Sequence, residues 1–186
     1  MKKILLTVLI LCFVSLANAQ ISKDTININS KTNGDHELKF NLAYAVAGLL
    51  ELNYENIIKD DMSIGVAALV GLEKDTKYKF GLMPNFRIYF GNKKANGFFV
   101  EGNMAFVISS EYKYDINYTY SDISYSYTSY ERVTNYMNFG MGIAAGGKFL
   151  TKSGFVGEIY GGVGRLFGDP NVDIYPRAGF SIGKRF

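Results

Sequence analysis

Residues 137–148 read Met137-Asn138-Phe139-Gly140-Met141-Gly142-Ile143-Ala144-Ala145-Gly146-Gly147-Lys148. Up to Ile143 every second residue is large and apolar, while Asn138, Gly140, Gly142, Ala144 and Lys148 hold the alternate positions. A period of two places successive side chains on opposite faces of an extended strand. One face of this strand is therefore apolar, and the other carries small residues and a charge. That second face decides the fold.

The same alternation recurs from Glu37 onward, with no long stretch of period 3.6 between, and it predicts eight strands. The first, 38–46, sets Leu38, Phe40, Leu42, Tyr44 and Val46 against Lys39, Asn41, Ala43 and Ala45. The second, 50–57, opposes Leu50, Leu52 and Tyr54 to Glu51, Asn53 and Glu55, and the third, 62–72, opposes Ile64, Val66 and Val70 to Ser63, Gly65 and Ala67. The fourth, 80–90, puts Arg87 opposite Phe86 and Ile88, and the fifth, starting at Phe98, puts Glu101 opposite Val100. The quoted segment is the sixth. The seventh, 155–164, carries Glu158 against Ile159, and the eighth, 177–186, carries Arg177 and Arg185 against Phe180 and Ile182. An even number of strands of about ten residues suits a tilted crossing of a bilayer.

Alternation alone allows two solvents. A soluble lipocalin-like ligand-binding barrel turns its apolar face inward, and a membrane barrel turns it toward lipid. A soluble barrel would clothe its outer face in Lys, Glu, Thr and Gln, whereas the second face here is mostly Gly, Ala, Ser and Asn. Small residues suit the crowded interior of eight strands. The charges spaced among them are Glu51, Glu55, Glu101 and Glu158 against Lys39, Arg87, Lys148, Arg177 and Arg185. Near-equal numbers predict a buried ion-pair network filling the lumen, because an unpaired charge there would cost several kcal/mol. A solvated face of mixed charge is the competing reading. Aromatics at strand ends, such as Tyr44, Tyr54, Phe80, Phe90, Phe98, Phe149 and Phe155, match interfacial girdles. The expected fold is thus an all-β, eight-stranded antiparallel up-and-down transmembrane barrel over 37–186.

Composition fits one such domain. The 186 residues are 48% hydrophobic and 20% charged, which excludes a disordered chain, and 20 Gly with 14 Phe and 14 Tyr favour strands and turns. A mean hydropathy of +0.02 is the average of two opposed faces. At the N-terminus Lys2 and Lys3 precede the apolar run 4–16 and the small-x-small site Ala17-Asn18-Ala19, so residues 1–19 are expected to be a signal peptide and 20–36 a flexible lead-in. Cys12, the single cysteine, would leave with the signal, and no disulfide could form. Loss of Lys2 and Lys3 from 20 basic residues leaves 18 against 17 acidic, a balance that argues against a nucleic-acid partner.

The terminal Gly179-Phe180-Ser181-Ile182-Gly183-Lys184-Arg185-Phe186 resembles the signal that outer-membrane proteins present to the barrel-assembly machinery, with Phe180, Ile182 and Phe186 as its hydrophobic positions. Together with the leader ending, this resembles the small outer-membrane barrels of the OmpA/OmpX type, above all uncharacterised families of that shape in Bacteroidetes. The resemblance implies residence in the cell outer membrane as a monomer, with lipid and the assembly machinery as partners. Lys184, on the expected lipid face, departs from the pattern, although a charge near an interface costs little.

One connection differs from the rest. Tyr112, Tyr114, Ile116, Tyr118 and Tyr120 continue the parity of the fifth strand, and Tyr125, Tyr127 and Tyr130 lead back into the sixth. The arms from Phe98 to Tyr120 and from Tyr125 to Gly147 are equal in length, so they predict an extracellular hairpin at about 110–135. Tyr with Ser is the composition of adaptable binding surfaces and would serve an unknown extracellular ligand or protein. The competing reading is that cross-strand Tyr pairs only stabilise the ribbon.

Catalytic chemistry has little to draw on. His36 is the single histidine, at the rim of the first strand, so neither a His-dependent nucleophile nor a transition-metal site is expected. Asp60-Asp61 reads as a solvated turn, and Gly161-Gly162-Val163-Gly164 lacks the helix a phosphate cradle needs. Glu101 and Glu158 have basic neighbours that favour structural pairing over acid-base work. No enzymatic activity, cofactor or metal is expected, and a lipid-modifying barrel enzyme stands as the third reading after the soluble barrel.

Overall fold

Alternating residues in eight segments give eight strands, which hydrogen-bond in chain order until the eighth returns to the first and closes the sheet. They are β1 (His36–Asn41), β2 (Leu49–Lys59), β3 (Met62–Gly71), β4 (Tyr78–Tyr89), β5 (Gly97–Ser121), β6 (Ser124–Leu150), β7 (Phe155–Phe167) and β8 (Ile174–Arg185), with one short helix, α1 (Leu42–Val46). All neighbours are antiparallel. The computed structural model describes residues 34–73, 76–121, 124–167 and 174–186, and for 112, 114–121 and 124–131 the backbone alone. The expected signal peptide with Cys12, and residues 20–33 of the lead-in, lie outside the described residues.

Parity sorts the wall as the alternation requires. Glu51, Glu55, Ala67, Arg87, Glu101, Ala105, Lys148 and Arg177 are buried inside, while Leu52, Ile64, Phe86, Phe106, Ile143 and Phe180 are exposed outside. Glycine on the inner face makes room for tyrosine. A Cβ on Gly164 would come within 2.2 Å of the Tyr175 ring, and one on Gly179 within 2.4 Å of the Tyr160 ring.

The first strand departs from expectation. Alternation predicts a strand over 38–46, but β1 ends at Asn41 and the chain turns into α1. The Asn41 side-chain oxygen accepts from the amides of Ala43 and Tyr44, which caps the helix, and Gly48 at φ +81° turns the chain into β2. Ala43 and Ala45 favour the helix. Tyr44 therefore leaves the expected lipid face and packs against apolar residues of the interior.

The consequence is a gap in the wall. The closing ladder runs from Glu37↔Arg185 to Asn41↔Ser181, so among the described residues no strand lies beside β8 residues 174–180 on that side. Side chains take over there: the Tyr44 hydroxyl donates to the Pro176 carbonyl at 2.8 Å, and Asn41 Nδ2 donates to the Ala178 carbonyl at 3.1 Å. Pro176 has no amide left to satisfy on that edge.

β5 and β6 pair without interruption from Gly97↔Lys148 through Phe98↔Gly147 and Tyr120↔Tyr125 to Ser121↔Ser124. β4 accompanies β5 only to Ser109, and β7 accompanies β6 only to Phe139. Residues 110–121 and 124–135 therefore project beyond the barrel as a two-stranded ribbon, which defines a hairpin end and, opposite it, a turn end.

The interior is layered. Ala67, Leu69, Met83, Ala105, Val107, Leu166 and Tyr175 form an apolar cluster toward the hairpin end, with Tyr44, Leu49 and Tyr78 packed against it. Ile57, Tyr89, Ala95, Phe99 and Tyr160 form a second cluster toward the turn end. The 91–96 turn folds across that mouth: the Ala95 amide donates to Asp60 at 2.7 Å, and the Ala95 carbonyl accepts from Arg185 Nη2 at 2.9 Å.

Candidate functional site: a buried ion lattice

Between the two apolar layers the inner faces of the strands meet in a charged core. Its carboxylates are Glu37, Glu51, Glu55, Glu101 and Glu158, its cations Lys39, Arg87, Lys148, Arg177 and Arg185, and each is at most 2% exposed. Every strand except β3 supplies at least one.

The alternation itself brings them together, because each occupies an inward position and the long Arg and Lys side chains span the levels between the carboxylates. Arg87 is the hub: its Nε donates to Glu101 at 2.8 Å, and its Nη1 donates to Glu55 and Glu158, each at 3.0 Å. Lys39 binds Glu55 and reaches Glu158 at 2.6 Å. Lys148 donates to Glu37 at 2.7 Å and Glu55 at 2.8 Å. Arg177 joins Glu101 at 2.9 Å to Glu51 at 3.0 Å, and Arg185 holds Glu37 at 2.8 Å.

Neutral groups complete the coordination. The Tyr89 hydroxyl donates to Glu55, the Tyr160 hydroxyl to Glu51 at 3.0 Å, and Asn41 Nδ2 to Glu51 at 3.1 Å. The Arg87 guanidinium lies 4.5 Å from the Phe99 ring centroid and the Arg177 guanidinium 4.9 Å from that of Tyr160. A low-dielectric interior tolerates charge only when both partners and extra hydrogen bonds are present. Here each carboxylate has at least two donors.

The nine charged residues singled out by parity all lie in this core, and the structure adds Glu37. Parity already carried the signal for it, since Glu37 shares the register of Lys39 but marks the start of the strand. Four acids against five bases also left one cation over, and Glu37 makes the numbers equal. Parity also puts Tyr89 with Arg87 and Tyr160 with Glu158 on the inner face, where both are buried, whereas Tyr175, ahead of the expected eighth strand, was missed; the seats of Tyr160 and Tyr175 on glycine become visible only once the strands are in register.

Oxygens of Glu37, Glu55 and Glu158 lie within 4.8 Å of one another, a spacing that could hold a metal ion. Lys39 and Lys148 already stand among them, each within 3.3 Å of Glu37 and Glu158. The ammonium groups take the place of a metal, and the arrangement acts as a cross-link between strands.

Other residues of interest lie apart from the lattice. His36 starts β1 at the turn end, where its Nδ1 is 2.7 Å from the Tyr54 hydroxyl and its ring lies 6.0 Å from Phe186. Phe180 and Phe186 are 51% and 61% exposed on the outside of the barrel's last strand and its end, with Ile182 half-buried between them. In the ribbon, Tyr112 is opposite Val133, Tyr114 opposite Glu131, Tyr130 opposite Asp115, Tyr118 opposite Tyr127 and Tyr120 opposite Tyr125. The side chains of those tyrosines lie outside the described part.

No family model and no curated protein matches the chain. Among solved structures it is similar to the N-terminal β-barrel domain of Pseudomonas aeruginosa OprF, at 14% identity and a TM-score of 0.44, over 81% of this chain and 95% of that one.

Proposed function

We propose that the chain is an outer-membrane β-barrel of the OmpA/OmpX type, with a side-chain-filled lumen and a structural or surface-interaction role exerted through its hairpin. The observation that carries this is the inversion of polarity across the wall. Ten ionic side chains are buried inside, while Leu52, Ile64, Phe86, Phe106, Ile143, Ile159 and Phe180 are 41–67% exposed outside. Monomeric soluble proteins rarely expose a contiguous apolar patch beyond a few hundred Å². Lipid removes that penalty, and closure of the sheet satisfies the backbone, as hydrocarbon demands.

In this reading the hairpin end faces outside the cell and both ends of the barrel chain face the periplasm. The outer aromatic row is Phe106, Phe139 and Phe167, with centroids 5.3 Å and 6.2 Å apart. A soluble lipocalin-like barrel would need an apolar ligand chamber where the ion lattice lies. A lipid-modifying enzyme would need an acid-base pair near the outer leaflet, while His36 lies at the opposite end.

The test is fractionation of cells expressing the full chain with its leader. The barrel is expected in the outer-membrane fraction, extractable only with detergent and migrating faster in SDS gels before boiling than after. Recovery of a monomer from periplasm without detergent would refute the membrane assignment. For the hairpin, deletion of 112–130 is expected to leave the barrel folded and to remove capture of an extracellular partner from intact cells. Identical adhesion and partner recovery by both forms would leave only the scaffold role.

A further inference from the structure

The exteriors of β7 and β8 are apolar except for two charged side chains, Lys184 near the turn end and Arg165 near the hairpin end. Arg165 belongs to the last ladder pair of β7 and β8, Arg165↔Ile174, and lies opposite Met141 on β6. Among the described residues no carboxylate pairs with it; its guanidinium leans toward the outer aromatic row, 5.8 Å from the Phe167 ring centroid.

Below Arg165 the wall is indented. Gly142 pairs with Gly164, and both face inward, so only their backbone reaches this surface, as the floor of a shallow groove. Met141, Ile143, Val163, Arg165 and Ile174 form its sides, and its volume is about 620 Å³. The apolar sides are 50–67% exposed.

An arginine on a lipid-facing surface costs roughly 2–4 kcal/mol at the bilayer midplane and about 0–1 near an interface, so its position at the hairpin end is tolerable. Tolerance does not supply a counter-ion. Guanidinium is the side chain best matched to phosphate, through two parallel N–H donors. We infer that this groove is a site for a phosphate-bearing lipid of the outer leaflet, with Arg165 on the phosphate and an acyl chain along Met141, Ile143, Val163 and Ile174. The inference rests on the membrane reading above.

The experiment titrates the full mature barrel in detergent micelles with lipid A, and separately with lipid A stripped of its phosphates, and counts retained lipid by native mass spectrometry. The parent should hold the phosphorylated form about tenfold more tightly, the gain from one charge-assisted contact. R165Q should abolish the preference, and K184Q, at the other end, should keep it. Equal retention of both lipids by the parent, or an undiminished preference in R165Q, would overturn the site. A barrel that needs detergent yet shows no preference refutes this site alone, whereas a detergent-free monomer refutes the membrane reading beneath it.

Discussion

Replacing Arg87 by methionine removes the hub of the lattice while keeping much of its volume. The substitution breaks contacts to Glu55, Glu101 and Glu158, all at 2.8–3.0 Å. Charge-assisted hydrogen bonds contribute about 1.5–3 kcal/mol each, so a simple sum would give roughly 5–9 kcal/mol. The sum is too large, because every orphaned carboxylate keeps another cation: Glu55 and Glu158 keep Lys39 and Lys148, and Glu101 keeps Arg177. What remains is one surplus negative charge in a buried core, for which breaking an ion pair costs about 3–5 kcal/mol. R87M should therefore lower barrel stability by that amount. E158Q in the same background removes the surplus, and the amide oxygen can still accept from Lys39. The double variant should thus be more stable than the sum of the singles by well over 0.5 kcal/mol, the usual limit of additivity. Urea unfolding of the barrel in lipid vesicles, followed by the emission of its 14 tyrosines in the absence of tryptophan, measures all three. An R87M barrel within about 0.5 kcal/mol of the parent, or strictly additive singles, would refute charge balance as the organising constraint.

G164A should destabilise by about 1–3 kcal/mol through overpacking, since its Cβ meets the Tyr175 ring at 2.2 Å. Y175A in the same chain should recover part of that loss in the urea assay. N41A removes the α1 cap and the donor to Ala178, and should cost about 1–2 kcal/mol and speed hydrogen exchange at the amides of Ala43 and Tyr44. At the turn end, Lys94 binds Asp35 and holds its carboxyl below the ordinary value. Because the folded value is the lower one, this contribution is present above the unfolded value of about pH 4 and fades as pH falls through the folded value. K94A should raise the Asp35 titration midpoint seen by carboxyl NMR. Planar bilayers with the pure protein should show no porin-scale conductance, because eight strands enclose only enough space for side chains; stable large openings would contradict the filled lumen.

Most of the architecture was legible because a closed antiparallel wall writes itself as alternation. Lys39, Glu51, Arg87 and Lys148 could be assigned to one face by counting residues, and so could the equal arms of the hairpin, whose observed register keeps Phe98 opposite Gly147 and Tyr120 opposite Tyr125. The start of the chain's barrel was less legible. Residues 42–46 alternate as well as any strand does, yet Ala43 and Ala45 also suit a helix, and the choice turns on a cap from Asn41 and on β8 carbonyls that lie 132–137 residues away. Local pattern cannot weigh a partner that distant. The pairing inside the lattice was illegible for the same reason. Parity gives the face of Glu158, but only the registers of β1, β4 and β6 against one another bring Lys39, Arg87 and Lys148 to it.

The layering bears on why a barrel would tolerate ten charges where apolar packing could fill the space. In the membrane reading proposed above, hydrocarbon surrounds this wall, so a purely apolar interior would give the two faces of each strand the same affinity for lipid. A strand slipped by one residue exchanges its faces, and with apolar residues on both faces that exchange would cost little. With Glu and Arg on the inner face, the same slip would push charge into lipid at about 2–4 kcal/mol for each basic side chain near the midplane. The slip would also strip each carboxylate of its two or more donors. The apolar layers formed by Leu69, Met83 and Tyr175 at one end and by Phe99 and Tyr89 at the other then shut water away from the lattice. The lattice thereby acts on register as much as on stability. On that account R87M with E158Q, balanced in charge, should keep a single register, while a chain with the whole lattice replaced by Leu and Met should populate more than one.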